Sequence, residues 1–299
     1  MTTAKQRERW AVISLISVTA AWGSTFVVMK SGIAQMSYWS LTSLRWSIAF
    51  ALLVAFRPRA LFVDRATIKH GLAIGVISSF GYLFQTIGLL TIDASVSGFI
   101  TGMFVVLTPL FGAMILHDRI SNWSWFGVLL AVIGLGLISL KGFSLSTGAI
   151  WTLAGAAMWA LQILSTAQWS TLRNSYSIAT YQILMVAVFF TVGAGVQGYQ
   201  MPPNATVWWD ILLLAVFASA IAFTVQTWGQ AHVDATRAAV IFTMEPMFAG
   251  VFGVWIDGDP MTPRILSGAG LILAAMFISE FAPKPSRVVE EFGQPHITT

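Results

Sequence analysis

Two stretches of the chain are diverged copies of each other: they read DASVSGFITGMFVVLTPLFGAMILHD at Asp93–Asp118 and DATRAAVIFTMEPMFAGVFGVWIDGD at Asp234–Asp259. Both ends of the second stretch lie 141 residues after the corresponding ends of the first, so the two align without a gap. The identities within and beyond them pair Ile100 with Ile241, Met103 with Met244, Phe111 with Phe252, Gly112 with Gly253, Ile115 with Ile256, Gly127 with Gly268 and Leu130 with Leu271. A constant offset over this length indicates an internal duplication.

The composition is typical of a membrane protein. Of the 299 residues, 57% are hydrophobic and 9% are charged, whereas soluble domains carry about 25% charged residues. This fraction of charged residues is too low for the surface of a water-soluble protein. Cysteine is absent, which excludes disulfides, thiolate chemistry and cysteine-based zinc sites.

Ten apolar runs are long enough to cross the hydrocarbon core as helices. They lie near residues 10–30, 38–56, 68–91, 94–116, 123–140, 148–170, 177–198, 207–230, 235–256 and 263–281. The first run is also compatible with a secretory signal peptide, because basic residues precede it. We interpret it as a span, since the apolar run continues to Met29 and its removal would delete one span from a repeat.

The sequence therefore predicts an all-α integral membrane protein with ten transmembrane helices. An odd number of spans in each copy makes the second copy enter the bilayer from the opposite side. We expect two inverted five-helix repeats, residues 1–142 and residues 143–299, the second with a cytoplasmic C-terminal tail. This construction is typical of secondary transporters, whose substrate site lies between the two halves.

The distribution of basic residues predicts the orientation in the membrane. With the N-terminus inside, the inner side receives Lys5, Arg7, Arg9, Arg57, Arg59, Arg65, Lys69, Arg119, Arg173, Arg237, Lys284 and Arg287. The outer side receives only Lys30, Lys141 and Arg264. This bias predicts that both termini are cytoplasmic. It also accounts for the formal net charge of +4 without nucleic acid, which we do not expect as a partner.

Four short motifs resemble the EamA-type family of the drug/metabolite transporter superfamily. They are Ala21–Ser24 (AWGS), Arg45, Glu245–Pro246 and Gly258–Pro260 (GDP), and the resemblance runs from about Trp10 to Phe281. It implies a monomeric carrier in the bacterial inner (plasma) membrane, with inward-facing and outward-facing states. It further implies export of small amphipathic metabolites, as in bacterial exporters of aromatic and other amino acids.

The chain departs from this family pattern in two places. His117–Asp118 stands where many members have Gly-Glu, and Pro109 lies one helical turn later than Val105, the repeat partner of Pro246. The two halves are therefore expected to move unequally.

Polar and aromatic side chains at mid-membrane depth are the candidate substrate contacts, because they are expensive in hydrocarbon and should face a cavity or another helix. The candidates are Trp22, Ser24, Ser78, Tyr82, Gln85, Thr101, Trp159, Gln162, Gln226 and Glu245. Amides and hydroxyls bind a zwitterion, while aromatic faces receive an apolar side chain. The alternative for each is an ordinary interhelical hydrogen bond.

Glu245 and Arg45 have alternative interpretations. Glu245 carries a coupling proton, accepts hydrogen bonds from loosened backbone donors or pairs with a neighbouring helix. Pro246 directly after it weakens the helix. Arg45 meets a substrate carboxylate or, as its early position in the second span favours, makes a packing ion pair or extends to the interface. Pro109 and Pro246, one in each half, are the predicted hinges.

Enzyme function is not expected, and neither is a cofactor or a metal site. The sequence has no His-Glu-x-x-His metal motif, no Gly-x-Ser-x-Gly elbow and no phosphate-binding loop,. We predict a secondary transporter that exports small amphipathic metabolites, including aromatic amino acids, by alternating access, with the lipid bilayer and a small-molecule substrate as its partners. The alternatives are an exporter of drugs or of metabolites such as nucleosides and, more distantly, a channel or a membrane scaffold.

Overall fold

The computed structural model describes residues 4–116, 122–141, 144–171, 173–230, 232 and 241–281. Its helices are α1 Ala4–Ile33, α2 Tyr38–Phe56, α3 Arg65–Leu89, α4 Ala94–Thr101, α5 Phe104–Leu116, α6 Asn122–Ser139, α7 Thr147–Trp169, α8 Ser175–Gln197, α9 Ala205–Ala215, α10 Ala222–Gln230, α11 Met244–Phe252 and α12 Pro263–Phe281. A 3₁₀ turn covers Pro58–Leu61, and π-helical turns cover Val216–Ile221 and Gly253–Asp257. Within these ranges, strand structure is limited to the antiparallel pair β1 Leu140–Lys141 and β2 Ser144–Leu145.

The helical, membrane-embedded architecture agrees with the prediction. Seven described segments are long and apolar enough to cross a bilayer: Arg9–Ile33, Tyr38–Phe56, Arg65–Leu89, Ala94–Ile115, Thr147–Trp169, Ser175–Gln197 and Ala205–Gln230. Two shorter apolar helices cover Trp125–Ile138 and Pro263–Ile278. The predicted span at 235–256 is described from Ile241 onward. His117–Asp118, Arg119, Arg237, the repeat boundary at 142–143 and the tail with Lys284 and Arg287 lie outside the described residues.

The outward faces of the helices are apolar. On α8, Val188, Val192 and Val196 follow one another at one-turn spacing, and all three are exposed in the protein alone. The opposite face of α8 is buried against α2 and α3. An apolar stripe of this kind on a membrane helix is the surface that contacts lipid.

Small residues let α3 approach α8 closely. A Cβ atom at Gly71 would lie 2.6 Å from Tyr181 Cβ, and one at Gly75 would lie 2.5 Å from Met185 Cβ. Both distances are shorter than any ordinary carbon–carbon contact, so only glycine permits this packing.

Asp64 caps the start of α3, where a hydrogen bond from the Thr67 hydroxyl holds the pKa of the carboxyl below its usual value,.

The fourth and ninth predicted spans are both interrupted, at positions that the repeat relates. α4 ends at Thr101 and α5 begins at Phe104, while the helix through Ile241 is interrupted at Thr243, before α11. Gly102 and Thr243 are 141 residues apart, which is the offset of the sequence duplication. The two copies therefore break their helices at equivalent points.

The segments on one side of these interruptions pack against each other in antiparallel orientation. A Cβ atom at Gly102 would lie 2.8 Å from Pro246 Cγ, and one at Gly253 would lie 2.9 Å from Ser95 Cβ. The beginning of α4 thus meets the residues just after α11, and the end of α4 meets the beginning of α11. On the other side of the interruption, α5 packs against α7 and α12.

Candidate functional site

A central cavity lies where the interrupted spans meet α1, α3, α7 and α10. It contains about 470 Å³ of empty space, a value that includes space open to solvent. It is lined by Trp22, Thr25, Tyr82, Gln85, Thr101, Phe104, Trp159, Gln162, Ile163, Phe223, Gln226, Phe242 and Glu245. Both halves of the chain contribute. Mostly apolar walls with a few converging polar groups are typical of small-molecule sites in proteins.

Eight of the ten predicted site residues line this cavity, namely Trp22, Tyr82, Gln85, Thr101, Trp159, Gln162, Gln226 and Glu245. Ser24 and Ser78 are not among its lining residues. The Ser24 hydroxyl donates to the Ala21 carbonyl at 2.7 Å. The Ser78 hydroxyl donates to the Ile74 carbonyl at 2.8 Å and accepts a bond of 3.0 Å from the Gln182 amide. Both serines therefore satisfy backbone or packing contacts.

Hydrogen bonds hold the polar groups of the cavity in place. Trp159 Nε1 donates to Gln85 Oε1 at 2.6 Å, which joins α7 to α3. Gln162 Nε2 donates to Thr166 Oγ1 at 3.1 Å and lies 3.5 Å from Gln226 Oε1 on α10. Gln85 and Trp159, two of the predicted substrate contacts, are thus bonded to each other across two helices.

The aromatic wall is built around Trp22 of α1. Its Nε1 donates to the carbonyl of Ala218 at 3.1 Å, inside the π-helical turn Val216–Ile221. π-Helical turns leave carbonyl groups outside the regular i→i−4 ladder and are frequent at functional sites. The indole ring packs 5.5 Å from Phe223 and 6.1 Å from Phe242, measured between ring centroids.

Arg45 packs behind Tyr82, one of the cavity residues, and within the described residues it makes neither the expected ion pair nor an interfacial contact. The side chain is 1% exposed, and its Nε donates to Ser219 Oγ at 2.8 Å. The guanidinium carbon lies 4.8 Å from the centroid of Trp46 and 5.2 Å from that of Tyr82. A planar, weakly hydrated guanidinium stacks on aromatic rings, so burial is possible without a carboxylate partner.

Glu245 lines the cavity from the first turn of α11. The residue is 8% exposed, and within the described ranges no hydrogen bond or ion pair reaches its carboxylate. A helix N-terminus carries partial positive charge, which favours a carboxylate at this position. Thr101, on the neighbouring segment, has a buried Oγ1 that also lacks a hydrogen-bond partner in the part of the chain that the structure describes.

The two predicted hinges lie at different distances from the helix interruptions. Pro246 lies in the first turn of α11 and contacts the interruption at Gly102. Pro109 lies inside α5, about two turns after that interruption. The break in the fourth span therefore occurs at Gly102 and Met103, where the sequence offered no proline.

Five lining residues were missed from the sequence, and helical spacing would have found them. Thr25 lies three residues after Trp22, Phe104 three after Thr101 and Ile163 four after Trp159, while Phe223 and Phe242 lie three before Gln226 and Glu245. Residues three or four apart share a helix face. Four of the five are Phe or Ile, which are common throughout the apolar spans and therefore gave no reason for selection.

The sequence profile of the EamA-like transporter family matches residues 9–140 and, a second time, residues 146–281. The chain belongs to the EamA-like transporter family. The resemblance inferred from the motifs is thereby confirmed, and the family comprises transporters rather than a class of enzymes. The two matched stretches correspond to the two halves of the sequence.

Named relatives are similar over nearly the whole length. An uncharacterized transporter of Archaeoglobus fulgidus is 33% identical over 90% of this chain and 85% of its own length. The threonine/homoserine exporter RhtA of Escherichia coli is 24% identical, with 94% of each chain covered. One crystal structure matches with a TM-score of 0.68 at 17% identity, covering 91% of this chain and 96% of the other. That structural match supports the fold.

Proposed function

We propose that the protein is a ten-helix secondary transporter of the bacterial inner membrane that exports small amphipathic metabolites by alternating access, as a monomer. Amino acids, including aromatic ones, are the substrates that its chemistry favours. The observation that carries the proposal is the central cavity, in which both halves of the chain place amides, aromatic rings and a carboxylate around one space. Such a site between two repeats is what alternating access requires.

The inverted arrangement of residues 1–142 and 143–299 is part of this proposal. The fourth and ninth spans are equivalent under the 141-residue offset, yet α4 and α11 run antiparallel where they meet. Equivalent spans that cross the bilayer in opposite directions are the hallmark of an inverted repeat. The double match to the family profile supports the same division.

The packing around the interruptions supports alternating access rather than a continuous pore. On the side of the α4–α11 contact, Lys30 lies 3.5 Å from Asp93, 3.1 Å from Asp257 and 3.7 Å from Asp259, between side-chain N and O atoms. We infer that this helix pair and charge cluster close this end of the cavity. A channel needs a path open at both ends, and a scaffold needs no polar cavity.

Amino acids fit the cavity better than drugs or nucleosides for two reasons. Amides, hydroxyls and a carboxylate face a space whose other walls are mainly aromatic, which matches a zwitterion with an apolar side chain,. The relative RhtA is a threonine/homoserine exporter. Drug and nucleoside export remains the alternative on the same architecture.

Counterflow in proteoliposomes tests the function directly. Vesicles loaded with unlabelled phenylalanine or threonine should accumulate the labelled amino acid transiently, and a panel of amino acids, cationic dyes and nucleosides should rank the competitors. Saturable counterflow by an amino acid is the expected result. Linear, non-saturable flux would indicate a channel, and absence of flux for every panel member would contradict the proposed function.

A further inference from the structure

The residues that line the cavity carry one carboxylate, Glu245, and include no Lys, Arg or His in the described part of the chain. A buried carboxylate without a counter-charge is unfavourable in a low-dielectric cavity. The first turn of α11 offsets part of this cost through its N-terminal dipole. A cation that enters with the cargo would compensate the remaining charge.

The groups beside Glu245 are suited to a primary ammonium ion. The Thr101 hydroxyl oxygen is buried and has no hydrogen-bond partner among the described residues, and Thr101 and Glu245 line the same cavity. An ammonium group has three donors and needs several acceptors around it. Aromatic faces such as those of Trp22 and Phe242, which line the same space, add cation–π attraction.

The cavity offers no comparable partner to an anion. Arg45, a buried cation of α2, is not among the lining residues, and its guanidinium is engaged with Ser219 and with the rings of Trp46 and Tyr82. Among the described lining residues, a substrate carboxylate would therefore meet neutral amides and hydroxyls rather than a cation. The charge of the site therefore complements the substrate amine and not the substrate carboxylate.

We propose that Glu245, together with the Thr101 hydroxyl, binds the protonated amine of the cargo and thereby makes the transporter selective for primary amines and amino acids. This inference rests on the proposed transport function and adds its substrate class. The amine is required for recognition, and the carboxylate is dispensable. Decarboxylated substrates should therefore be accepted, whereas deaminated or N-acylated ones should be rejected.

The test compares four probes in counterflow: phenylalanine, phenethylamine, 3-phenylpropionate and N-acetylphenylalanine. The parent protein should exchange phenylalanine and phenethylamine roughly tenfold or more better than the two probes that lack a free amine, as expected for a hydrogen bond to a charged group. Glu245→Gln keeps the side-chain shape and should abolish this preference. Glu245→Asp retains the charge and should restore part of it, and Ser24→Ala, outside the cavity lining, should leave it unchanged.

The outcomes separate this inference from the function on which it rests. If the parent exchanges amino acids but Glu245→Gln keeps the amine preference, Glu245 is not the ammonium site, even if the variant loses pH-driven accumulation. If the parent exchanges 3-phenylpropionate as well as phenethylamine, the substrate class is wrong. Exchange of none of the tested amino acids contradicts the transport function itself. Should Glu245→Gln not accumulate in the membrane, Thr101→Val decides: a several-fold loss of amine preference supports the site, and unchanged preference contradicts it.

Discussion

Asp259 Oδ2 accepts a hydrogen bond of 2.7 Å from the backbone N–H of Ser95, in the first turn of α4. The bond ties the turn after the ninth span to the beginning of the fourth span. Asp259 has a side chain only 3% exposed, and its other oxygen lies 3.7 Å from Lys30 Nζ. A buried, charge-assisted contact of this kind stabilises the closed end of the cavity more than an exposed ion pair does.

Asp259→Ala should therefore open this end of the cavity. Loss of a hydrogen bond to a charged group costs about 1.5–3 kcal/mol, or roughly tenfold or more in the opening equilibrium. Because the chain has no cysteine, Thr25→Cys can report the change through its labelling rate with a membrane-impermeant thiol reagent applied to the side opposite the termini. Asp257→Ala is the matched control: its side chain is 28% exposed, and its loss should change labelling less. Equal effects of the two substitutions would contradict the role given to the Ser95 bond.

The helical membrane architecture was predictable because the length and hydrophobicity of the apolar runs are properties of the chain itself. The interruption at Gly102 and the position of Arg45 were not predictable, since both depend on what the neighbouring helices supply. Arg45 illustrates this: its burial requires Ser219, presented by a π-helical turn, and the rings of Trp46 and Tyr82. No local pattern around Arg45 contains that information.

The first span contains two neighbouring hydroxyl residues whose substitution distinguishes cavity contact from helix packing. Thr25 lines the cavity, whereas Ser24 does not, although they are adjacent in sequence. We expect Thr25→Val to change substrate preference or lower the transport rate several-fold at normal abundance, because it replaces a polar group in the binding space. Ser24→Ala should leave transport close to that of the parent. Counterflow with the amino acid panel measures both variants. A larger effect of Ser24→Ala than of Thr25→Val would contradict the assignment of the Thr25 face of α1 to the cavity.

The hydrogen bond between Trp159 and Gln85 should be energetically measurable. Trp159→Phe removes the donor at 2.6 Å while keeping an aromatic ring against Tyr82, whose centroid is 4.6 Å away. A double-mutant cycle with Gln85→Ala should give a coupling free energy of about 0.6–1.7 kcal/mol for unfolding in detergent or for substrate binding. A coupling near zero would mean that the bond does not hold the two helices together.

The proposed orientation can be tested with reporter fusions. The positive-inside bias predicts that reporters placed after Pro285 and in the loop between Arg57 and Lys69 report a cytoplasmic location, and that one inserted at Asn204 reports an external location,. The loop reporter provides the internal control for insertion. An external C-terminus would imply an odd number of spans and would overturn the inverted-repeat proposal.

The contact between Gly102 and Pro246 makes a test of the closing motion possible. Gly102 has φ −54 and ψ −17, so alanine is acceptable to its backbone, but the added Cβ would lie 2.8 Å from Pro246 Cγ. Overpacking of this kind costs about 1–3 kcal/mol. Since the clash exists only while α4 and α11 are packed together, Gly102→Ala should shift the protein away from the closed arrangement and raise labelling of Thr25→Cys from the side opposite the termini.

Two variants make the interpretation specific. Gly112→Ala adds the same methyl group to the same predicted span, yet among the described residues its Cβ would meet only Leu164 Cδ2 at an ordinary 3.6 Å. Labelling and counterflow should therefore match the parent. Pro246→Ala removes the Cγ atom that causes the clash, and in combination with Gly102→Ala it should return labelling towards the parent rate. The combination shows whether steric contact at this point controls access, because Pro246→Ala alone also restores a backbone donor and stiffens the helix. If the double variant labels as fast as Gly102→Ala alone, the contact does not govern closure of the cavity.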